Sequence, residues 1–226
     1  MEATEFKISM PRIGDKAPDF EAKTTTGALK FSEYNEGNWV IMFSHPADFT
    51  PVCTTELSEF AKEKAFFEGK NTKLIGLSID SIHSHLAWVK NVKDNLDVYM
   101  DFPIIADLDM KVAQKYGMLH PGESETAAVR AVFFIDPEGI IRLIMYYPLN
   151  VGRNMAEIQR VLVALQTSDE CQCALPINWE QGQKAIVPPP KTLEEMEERL
   201  SNGNYEKVDF YLMKKSLDMP EEILSN

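Results

Sequence analysis

The chain has 226 residues, a formal net charge of −12 at pH 7, and a composition that is 44% hydrophobic and 26% charged. This length suits one globular domain with a small addition, and such a core needs neither disulfide staples nor a structural metal. The acidic balance argues against nucleic acid and against an anionic membrane surface as partners. The sequence also contains no apolar run of about 18 residues that would span a bilayer.

Short apolar runs alternate with amphipathic stretches along most of the chain. The apolar runs predict buried strands over 39–44, 73–79, 102–106, 129–135 and 140–147. The amphipathic stretches predict helices over 54–68, 81–93, 109–116 and 154–166. The turn sequence from Asp136 to Gly139 makes the last two strands a hairpin. Because the earlier strands are joined by crossover helices, they must pair in parallel, so we expect an α/β fold with a mixed sheet flanked by helices.

A small extension follows the main domain. We divide the chain into a main domain, 1–170, and a C-terminal extension, 171–226, which contains the proline run Pro188–Pro190. In the extension, Thr192-x-x-Glu195 is a capping box that predicts a helix, and the alternation over Val208–Leu212 predicts a half-exposed strand. Since so short a segment cannot hold its own core, we expect it to pack on the main domain or on a partner chain.

Cys53 lies where a buried strand gives way to a helix. Thr50 suits the N-cap and Pro51 the first helical position, which puts Cys53 in the first turn. The N–H groups of a first turn lack intrahelical partners and favour an anion, and the thiolate is the reactive form of cysteine. The position predicts a reactive thiol at the carboxyl end of a strand, where α/β sheets carry their sites. The alternative is a small buried apolar residue.

The segment from Phe43 to Glu56 reads FSHPADFTPVCTTE and resembles the active-site signature of the peroxiredoxins. Its SHP and PVCTTE portions resemble the one-cysteine, peroxiredoxin 6-type branch. The resemblance continues through Pro11–Phe20, Val129–Pro137, Gly152–Asn154 and Ile186–Pro190, and so covers nearly the whole chain. It implies a thioredoxin-like fold with a small C-terminal α+β extension. It also implies thiol-dependent reduction of hydrogen peroxide and organic hydroperoxides.

The resemblance gives four residues a catalytic role. Cys53 would attack the peroxide and become a sulfenic acid, while Thr50 would hydrogen-bond the substrate. Arg130 would hold the thiolate ionised and orient the peroxide, and Pro46 would shield the site from water. The departing oxygen carries negative charge, which fixed donors stabilise as it develops. The alternatives are a helix cap for Thr50 and a solvent-directed strand residue for Arg130.

Three more residues are candidates for substrate binding by the same resemblance. His45 would lie near the thiolate or the peroxide, Glu56 would position the arginine pair, and Arg153 would be the second arginine. Each has a simpler alternative: a hydrogen-bonded structural histidine, a solvated helix residue and a surface residue at a helix start.

Cys171 and Cys173 form a Cys-x-Cys pair just after a predicted helix. The Val-Cys-Pro context of two-cysteine relatives is absent. Three interpretations stay open: incidental surface thiols, a resolving cysteine that attacks the Cys53 sulfenic acid within a chain or across a dimer, and a metal site. The metal interpretation fits least, because zinc sites use a wider cysteine spacing and no histidine pair is nearby. If neither cysteine resolves, an external thiol must.

Cofactors are not implied, since the sequence has no Walker loop and no dinucleotide fingerprint, and we expect no metal. His83, His85 and His120 are interpreted as structural or surface residues.

The first ten residues lack the apolar core of a signal peptide, and three cysteines do not make a secreted disulfide framework, so we expect a cytoplasmic protein. The expected partners are the peroxide, a thioredoxin-like or small thiol reductant, and a second copy in a homodimer, with a ring of dimers as the larger assembly.

Two other functions are weighed against the peroxidase. A thiol–disulfide oxidoreductase on the same fold would need a second cysteine three residues after Cys53, where Glu56 stands. A peroxide sensor or holdase chaperone would show stoichiometric oxidation with little turnover, or holdase activity that survives without Cys53.

Overall fold

A computed structural model describes residues 10–217 and divides into two compact units between Met155 and Ala156. Its helices are α1 Phe31–Asn35, α2 Pro51–Lys62, α3 Lys64–Gly69, α4 Ile82–Leu96, α5 Lys111–Lys115, α6 Met155–Cys171 and α7 Leu193–Ser201. Its strands are β1 Glu21–Thr24, β2 Gly27–Lys30, β3 Trp39–Ser44, β4 Thr72–Ser78, β5 Ile104–Ala106, β6 Arg130–Ile135, β7 Ile141–Tyr147, β8 Ala185–Ile186, β9 Glu206–Asp209 and β10 Leu212–Lys215. Within residues 10–217, no helix combines the length and the hydropathy needed to cross a membrane.

The first unit is built on a seven-stranded sheet in the order β2-β1-β5-β4-β3-β6-β7. Strand β3 pairs in parallel with β4 and antiparallel with β6, so the sheet is mixed, as the sequence predicts. The β6–β7 hairpin is also confirmed, with Arg130 opposite Tyr147. Strands β3 and β6 are buried at every residue. Because successive side chains point to opposite faces of a sheet, both faces of its centre must be covered.

The hydrophobic core of the first unit joins the central strands to the segments around them. Met42, Ile75 and Phe133 are fully buried there, and the ring of Tyr116 meets the ring of Phe133 edge to face at 5.2 Å. Such a core fixes the carboxyl end of β3, from which the chain enters the loop that leads to Cys53.

Several predicted boundaries were wrong. The helix predicted over 54–68 is two helices, because the chain turns at Glu63 with φ −86° and ψ 5°. The helix predicted over 154–166 continues to Cys171, so that cysteine lies inside the helix rather than after it. The N-terminal hairpin β1–β2 was not predicted. Both of its strands have only four residues, too few for a clear alternation.

The second unit contains a three-stranded sheet in the order β8-β10-β9. The capping box is confirmed, since the Thr192 hydroxyl accepts a hydrogen bond from the Glu195 N–H at 3.1 Å. The single strand predicted over Val208–Leu212 was wrong: the chain turns at Phe210 and Tyr211, and β9 returns antiparallel as β10. Residues 1–9, which hold most of the stretch considered for a signal peptide, lie outside the described residues.

Candidate active site

Cys53 occupies the predicted place in the first turn of α2. Thr50 is the N-cap, with extended φ −102° and ψ 148°, and Pro51 opens the helix. The Thr50 side chain makes no cap hydrogen bond; its hydroxyl donates to the Ala47 carbonyl at 2.9 Å instead. The oxygen lone pairs of Thr50 are therefore left to accept. The Cys53 thiol is free and fully buried.

Arg130 contacts the sulfur of Cys53. Its Nη1 lies 3.3 Å from Cys53 Sγ and also donates to Glu56 Oε2 at 2.6 Å. Its Nε and Nη2 both donate to the Leu149 carbonyl, at 3.0 and 2.8 Å, so the planar guanidinium is held on two sides. The side chain is only 3% exposed, which rules out the solvent-directed alternative.

Glu56 connects Arg130 to Arg153. Arg153 donates from Nε to Oε1 at 2.9 Å and from Nη2 to Oε2 at 2.7 Å, and its Nη1 reaches the carbonyls of Ser44 and Ala131. Burial alone would raise the pKa of Glu56, but the charge and hydrogen bonds of Arg153, with the charge of Arg130, lower it below its usual range. An ionised Glu56 balances one of the two arginines, which leaves one positive charge next to the thiol. The surface alternatives for Glu56 and Arg153 do not hold, because both side chains are buried.

His45 and Pro46 follow β3 directly. The His45 backbone N–H donates to the Leu77 carbonyl at 2.9 Å, and its ring is fully buried against Trp88 at 5.2 Å between centroids. The Trp88 indole in turn donates to the Thr54 hydroxyl, beside Cys53. Pro46 is half-buried in the loop between β3 and α2.

A buried polar group behind His45 was missed by the sequence analysis. The Asp48 carboxylate bonds to His45 Nε2 at 3.0 Å and to His85 Nδ1 at 2.8 Å, and all three side chains are at most 1% exposed. Asp48 lies inside the signature segment, so the sequence already showed that it is close to the active-site loop. His85 comes from α4, 37 residues further on, and no local pattern indicated it.

Cys171 and Cys173 are bonded to each other, with their Cα atoms 5.2 Å apart. Gln172 between them has a left-handed φ of 47°, and the Ser168 hydroxyl donates to the Cys173 carbonyl at 2.7 Å. Cys173 is buried and Cys171 is half-buried. The pair is therefore a disulfide rather than two separate surface thiols, and its sulfurs are bonded to each other instead of being available to a metal.

Two family models match the chain. Residues 13–144 match the AhpC/TSA family, and residues 164–203 match the C-terminal domain of 1-Cys peroxiredoxin. A peroxiredoxin of Aquifex aeolicus is 50% identical over 93% of this chain and 99% of that protein. A protein named peroxiredoxin 2 from Caldanaerobacter subterraneus is 51% identical over 93% of this chain and 96% of its own length.

Solved structures give the same assignment. A yeast mitochondrial 1-Cys peroxiredoxin, studied for thiol resolution through the glutathione and thioredoxin systems, superposes with a TM-score of 0.83 at 41% identity over 92% of this chain and all of that one. A peroxiredoxin 6 of Arenicola marina has a TM-score of 0.82 at 35% identity over 92% of this chain and 99% of that one.

The buried thiol, the arginine beside it and these likenesses together define a thiol-dependent peroxidase on a thioredoxin-like fold. The chain belongs to the peroxiredoxin family, and its relatives include the 1-Cys branch.

Proposed function

We propose that Cys53 is the peroxidatic cysteine of this enzyme. Its thiolate attacks one oxygen of the peroxide, the S–O bond forms as the O–O bond breaks, and the departing oxygen leaves as hydroxide or alkoxide and takes up a proton. Cys53 becomes a sulfenic acid, and the peroxide is reduced to water or an alcohol. The observation that carries this proposal is the 3.3 Å contact from Arg130 Nη1 to Cys53 Sγ inside a buried site.

Arg130 and Thr50 make the hydrogen bonds that the reaction needs. Arg130 donates to the thiolate in the resting enzyme, and the same fixed donors favour the negative charge that grows on the leaving oxygen. The Thr50 hydroxyl donates a hydrogen bond to the Ala47 carbonyl. Its oxygen therefore accepts a hydrogen bond from the O–H of the peroxide and holds the O–O bond in line with the attacking sulfur. Pro46 limits access of water to the loop before α2.

His45, Glu56 and Arg153 support this arrangement. His45 Nδ1 is a buried atom without a hydrogen-bond partner in the described part of the chain, and it serves as an acceptor for an O–H of substrate or product. Glu56 fixes the plane of Arg130, while Arg153 anchors Glu56 to the carbonyls at the ends of β3 and β6. Arg153 therefore acts on the substrate through Glu56 and Arg130.

The oxidised enzyme is reduced through the cysteine pair of the second unit. The Cys173 or Cys171 thiol attacks the Cys53 sulfenic acid, which forms a mixed disulfide and releases water. The other thiol of the pair then displaces Cys53, so that Cys171 and Cys173 become a disulfide and Cys53 returns as a thiol. A thioredoxin-like dithiol or a small thiol outside the chain reduces the pair. Their bond at a Cα separation of 5.2 Å supports this route.

Assembly and location belong to the same proposal. We expect a main domain of residues 1–170 and an extension of residues 171–226 that covers a partner in a homodimer, with a ring of dimers as the larger form. Val208 is 72% exposed and Phe210 is 39% exposed, which favours a partner for the extension. The free thiol of Cys53 must be regenerated by a reductant, which favours the cytoplasm.

The two rival functions gain no support from the site. An oxidoreductase would need a cysteine at position 56, but that position holds the carboxylate that orders two arginines. A holdase gives no reason for an arginine held against the thiol, and a sensor that used the same thiol would differ from the peroxidase by its low turnover.

Mass spectrometry after one equivalent of hydrogen peroxide tests the proposal. Reduced wild type, Cys53→Ser and the Cys171→Ser/Cys173→Ser double variant are oxidised, blocked at free thiols and digested. We expect sulfenic acid at Cys53 in the double variant, and a Cys171–Cys173 disulfide in wild type that Cys53→Ser does not form. Oxidation of another residue before Cys53 would overturn the catalytic assignment. A wild type that stops at Cys53 sulfenic acid would overturn only the resolving step.

A further inference from the structure

Three fully buried side chains form one hydrogen-bonded line that begins at the active-site loop. His45 bonds through Nε2 to Asp48 Oδ1, Asp48 Oδ2 bonds to His85 Nδ1, and His85 Nε2 bonds to the Ile105 carbonyl at 3.1 Å. The line crosses from the loop after β3 to helix α4 and ends on strand β5. Since no member reaches water, every proton in the line has an assignable place.

His85 has an acceptor on each side. The Ile105 carbonyl can only accept, so His85 Nε2 must carry a hydrogen. Burial alone would raise the pKa of Asp48, but the hydrogen bonds from His45 and His85 outweigh it and hold that pKa well below its usual range. An ionised carboxylate can only accept, so His85 Nδ1 carries a hydrogen as well. Both ring nitrogens of His85 therefore face an acceptor, the Asp48 carboxylate on one side and the Ile105 carbonyl on the other.

His45 is left with the opposite arrangement. Its Nε2–H donates to Asp48, and burial lowers the pKa of the ring, so His45 is neutral. A neutral imidazole with a proton on Nε2 has a bare lone pair on Nδ1. That atom is buried and has no hydrogen-bond partner among residues 10–217. A buried acceptor without a partner is unfavourable, so Nδ1 gains by meeting an O–H donor.

His45 also belongs to the cluster around the thiol. It follows Ser44, whose carbonyl accepts from Arg153 at 3.0 Å, and its ring packs on Trp88. Arg153 is one ion pair away from Arg130, which touches Cys53. Burial is the main cause of the lowered pKa of His45, and the positive charge of Arg153 adds to it by disfavouring a second proton on the ring.

We propose that His85 is a positioning residue for peroxide reduction: by holding two protons it neutralises Asp48 and keeps His45 in the Nε2–H form, with Nδ1 ready to accept. This inference rests on the acceptor role given to His45 in the proposed function. His85 acts only through Asp48 and His45, and it touches no reacting atom.

A metal ion is the competing occupant of the same residues. The ligand-capable atoms of His45, Asp48 and His85 lie within 4.8 Å of one another. The nitrogen–oxygen distances of 2.8 and 3.0 Å are those of hydrogen bonds, with a proton in each gap. A bound zinc would lie about 2.0–2.2 Å from each ligand atom and would replace those protons.

Nitrogen-15 spectra of the histidine rings test the protonation directly. The chain has four histidines, so single His→Gln variants assign every signal of reduced, EDTA-treated protein. At pH 7 we expect both ring nitrogens of His85 to be protonated, and only Nε2 of His45. A singly protonated His85 overturns the proposal. So does a stoichiometric change of the His45 and His85 signals when one equivalent of Zn²⁺ is added.

The His85→Gln variant tests the effect on the reaction. Without the imidazolium, the buried Asp48 charge draws a proton onto His45 Nδ1, which turns the acceptor into a donor. We expect the second-order rate constant with hydrogen peroxide to fall by about tenfold, the equivalent of one hydrogen bond. Alkylation of Cys53 by iodoacetamide should stay close to wild type. The control is His83→Gln, an exposed residue two positions away on α4.

A second substitution separates positioning from packing. In Asp48→Asn/His85→Gln the buried charge is gone, so His45 has no reason to take a second proton. We expect the peroxide rate to recover part of its loss, whereas two packing defects would add. A single variant as fast as wild type, or a double variant slower than the single, would overturn the proposal. If Cys53 is still the oxidised residue in these variants, the proposed peroxidase function stands regardless.

Discussion

The guanidinium of Arg153 and the carboxylate of Glu56 form a two-point ion pair, with Nε donating to Oε1 at 2.9 Å and Nη2 donating to Oε2 at 2.7 Å. The same Oε2 atom accepts from Arg130 Nη1, the nitrogen that faces Cys53 Sγ. Arg153 does not contact the thiol. It holds the Glu56 carboxylate, which in turn fixes the plane of the Arg130 guanidinium beside Cys53. Paired charged hydrogen bonds of this kind are strong and directional.

Glu56→Gln should slow the enzyme without removing the thiol. The amide keeps the size of the side chain but can no longer accept on both sides, so Arg130 loses its orientation. We expect the second-order rate constant with hydrogen peroxide to fall by roughly 10- to 100-fold in stopped-flow measurements. Glu59→Gln, a partly exposed change on the same helix, should stay close to wild type. A Glu56→Gln rate within twofold of wild type would contradict this account of the arginine pair.

The ion pair also predicts how stability depends on pH. The pKa of Glu56 is lower in the folded protein than its ordinary value, despite the opposing effect of burial. A lowered pKa means that the unfolded chain binds the proton more readily, so this stabilisation is complete at neutral pH. It is lost as the pH falls below about 4.3, the ordinary value for glutamate, toward the folded pKa.

Urea unfolding of reduced wild type and Glu56→Gln between pH 7 and pH 3.5 checks this. The difference in unfolding free energy should be largest at pH 6–7 and should shrink below about pH 4. If the difference stays constant over that range, Glu56 is not the ionised partner that the geometry indicates.

Thr50 should matter through its hydroxyl rather than as a helix cap. Its oxygen makes no cap hydrogen bond in the structure, and the hydroxyl donates a hydrogen bond to the Ala47 carbonyl. Thr50→Ser keeps the hydroxyl and should retain most activity. Thr50→Val keeps the shape and should lose about 100-fold in the rate with peroxide, with only a small change in melting temperature. Equal rates for the two variants would count against a role of the hydroxyl in the reaction.

The cysteine pair should decide which reductant drives turnover. A dithiol can reduce the Cys171–Cys173 disulfide by itself, because its second thiol resolves the mixed disulfide that its first thiol forms. A monothiol needs a second molecule for that step, so wild type should turn over faster with dithiols than with monothiols. The Cys171→Ser/Cys173→Ser variant should lose about tenfold or more of dithiol-driven turnover while its first oxidation keeps the wild-type rate. Steady-state assays with dithiothreitol and with glutathione measure this. If dithiol-driven turnover is unchanged in the variant, Cys171 and Cys173 take no part in the catalytic cycle.

Local sequence chemistry predicted the part of the site that local structure builds. Thr50 and Pro51 mark a helix start, so the first-turn position of Cys53 followed directly. The β6–β7 hairpin followed from an Asp-Pro-Glu-Gly turn between two apolar runs. In such cases the residues that determine the geometry are neighbours in the chain.

Contacts between distant residues could not be predicted in the same way. The pairing of Asp48 with His85 depends on where α4 packs, and no pattern indicated it. The ion pair of Glu56 with Arg153 spans 97 residues, and only the family resemblance indicated it. The alternation at Val208–Leu212 satisfied a strand pattern, yet the chain turns at Phe210 because β9 pairs with β10. Tertiary pairing overrides a short periodic pattern, and a local pattern does not indicate which segments will pair.

The most direct test of the account compares the reaction of hydrogen peroxide with reduced wild type, Cys53→Ser and Cys171→Ser/Cys173→Ser by stopped flow. We predict that Cys53→Ser loses at least about a thousandfold in the second-order rate constant, because the substitution removes the thiol that contacts Arg130. The double variant should react at the wild-type rate. If Cys53→Ser keeps that rate, the buried thiol beside Arg130 is not where peroxide is reduced.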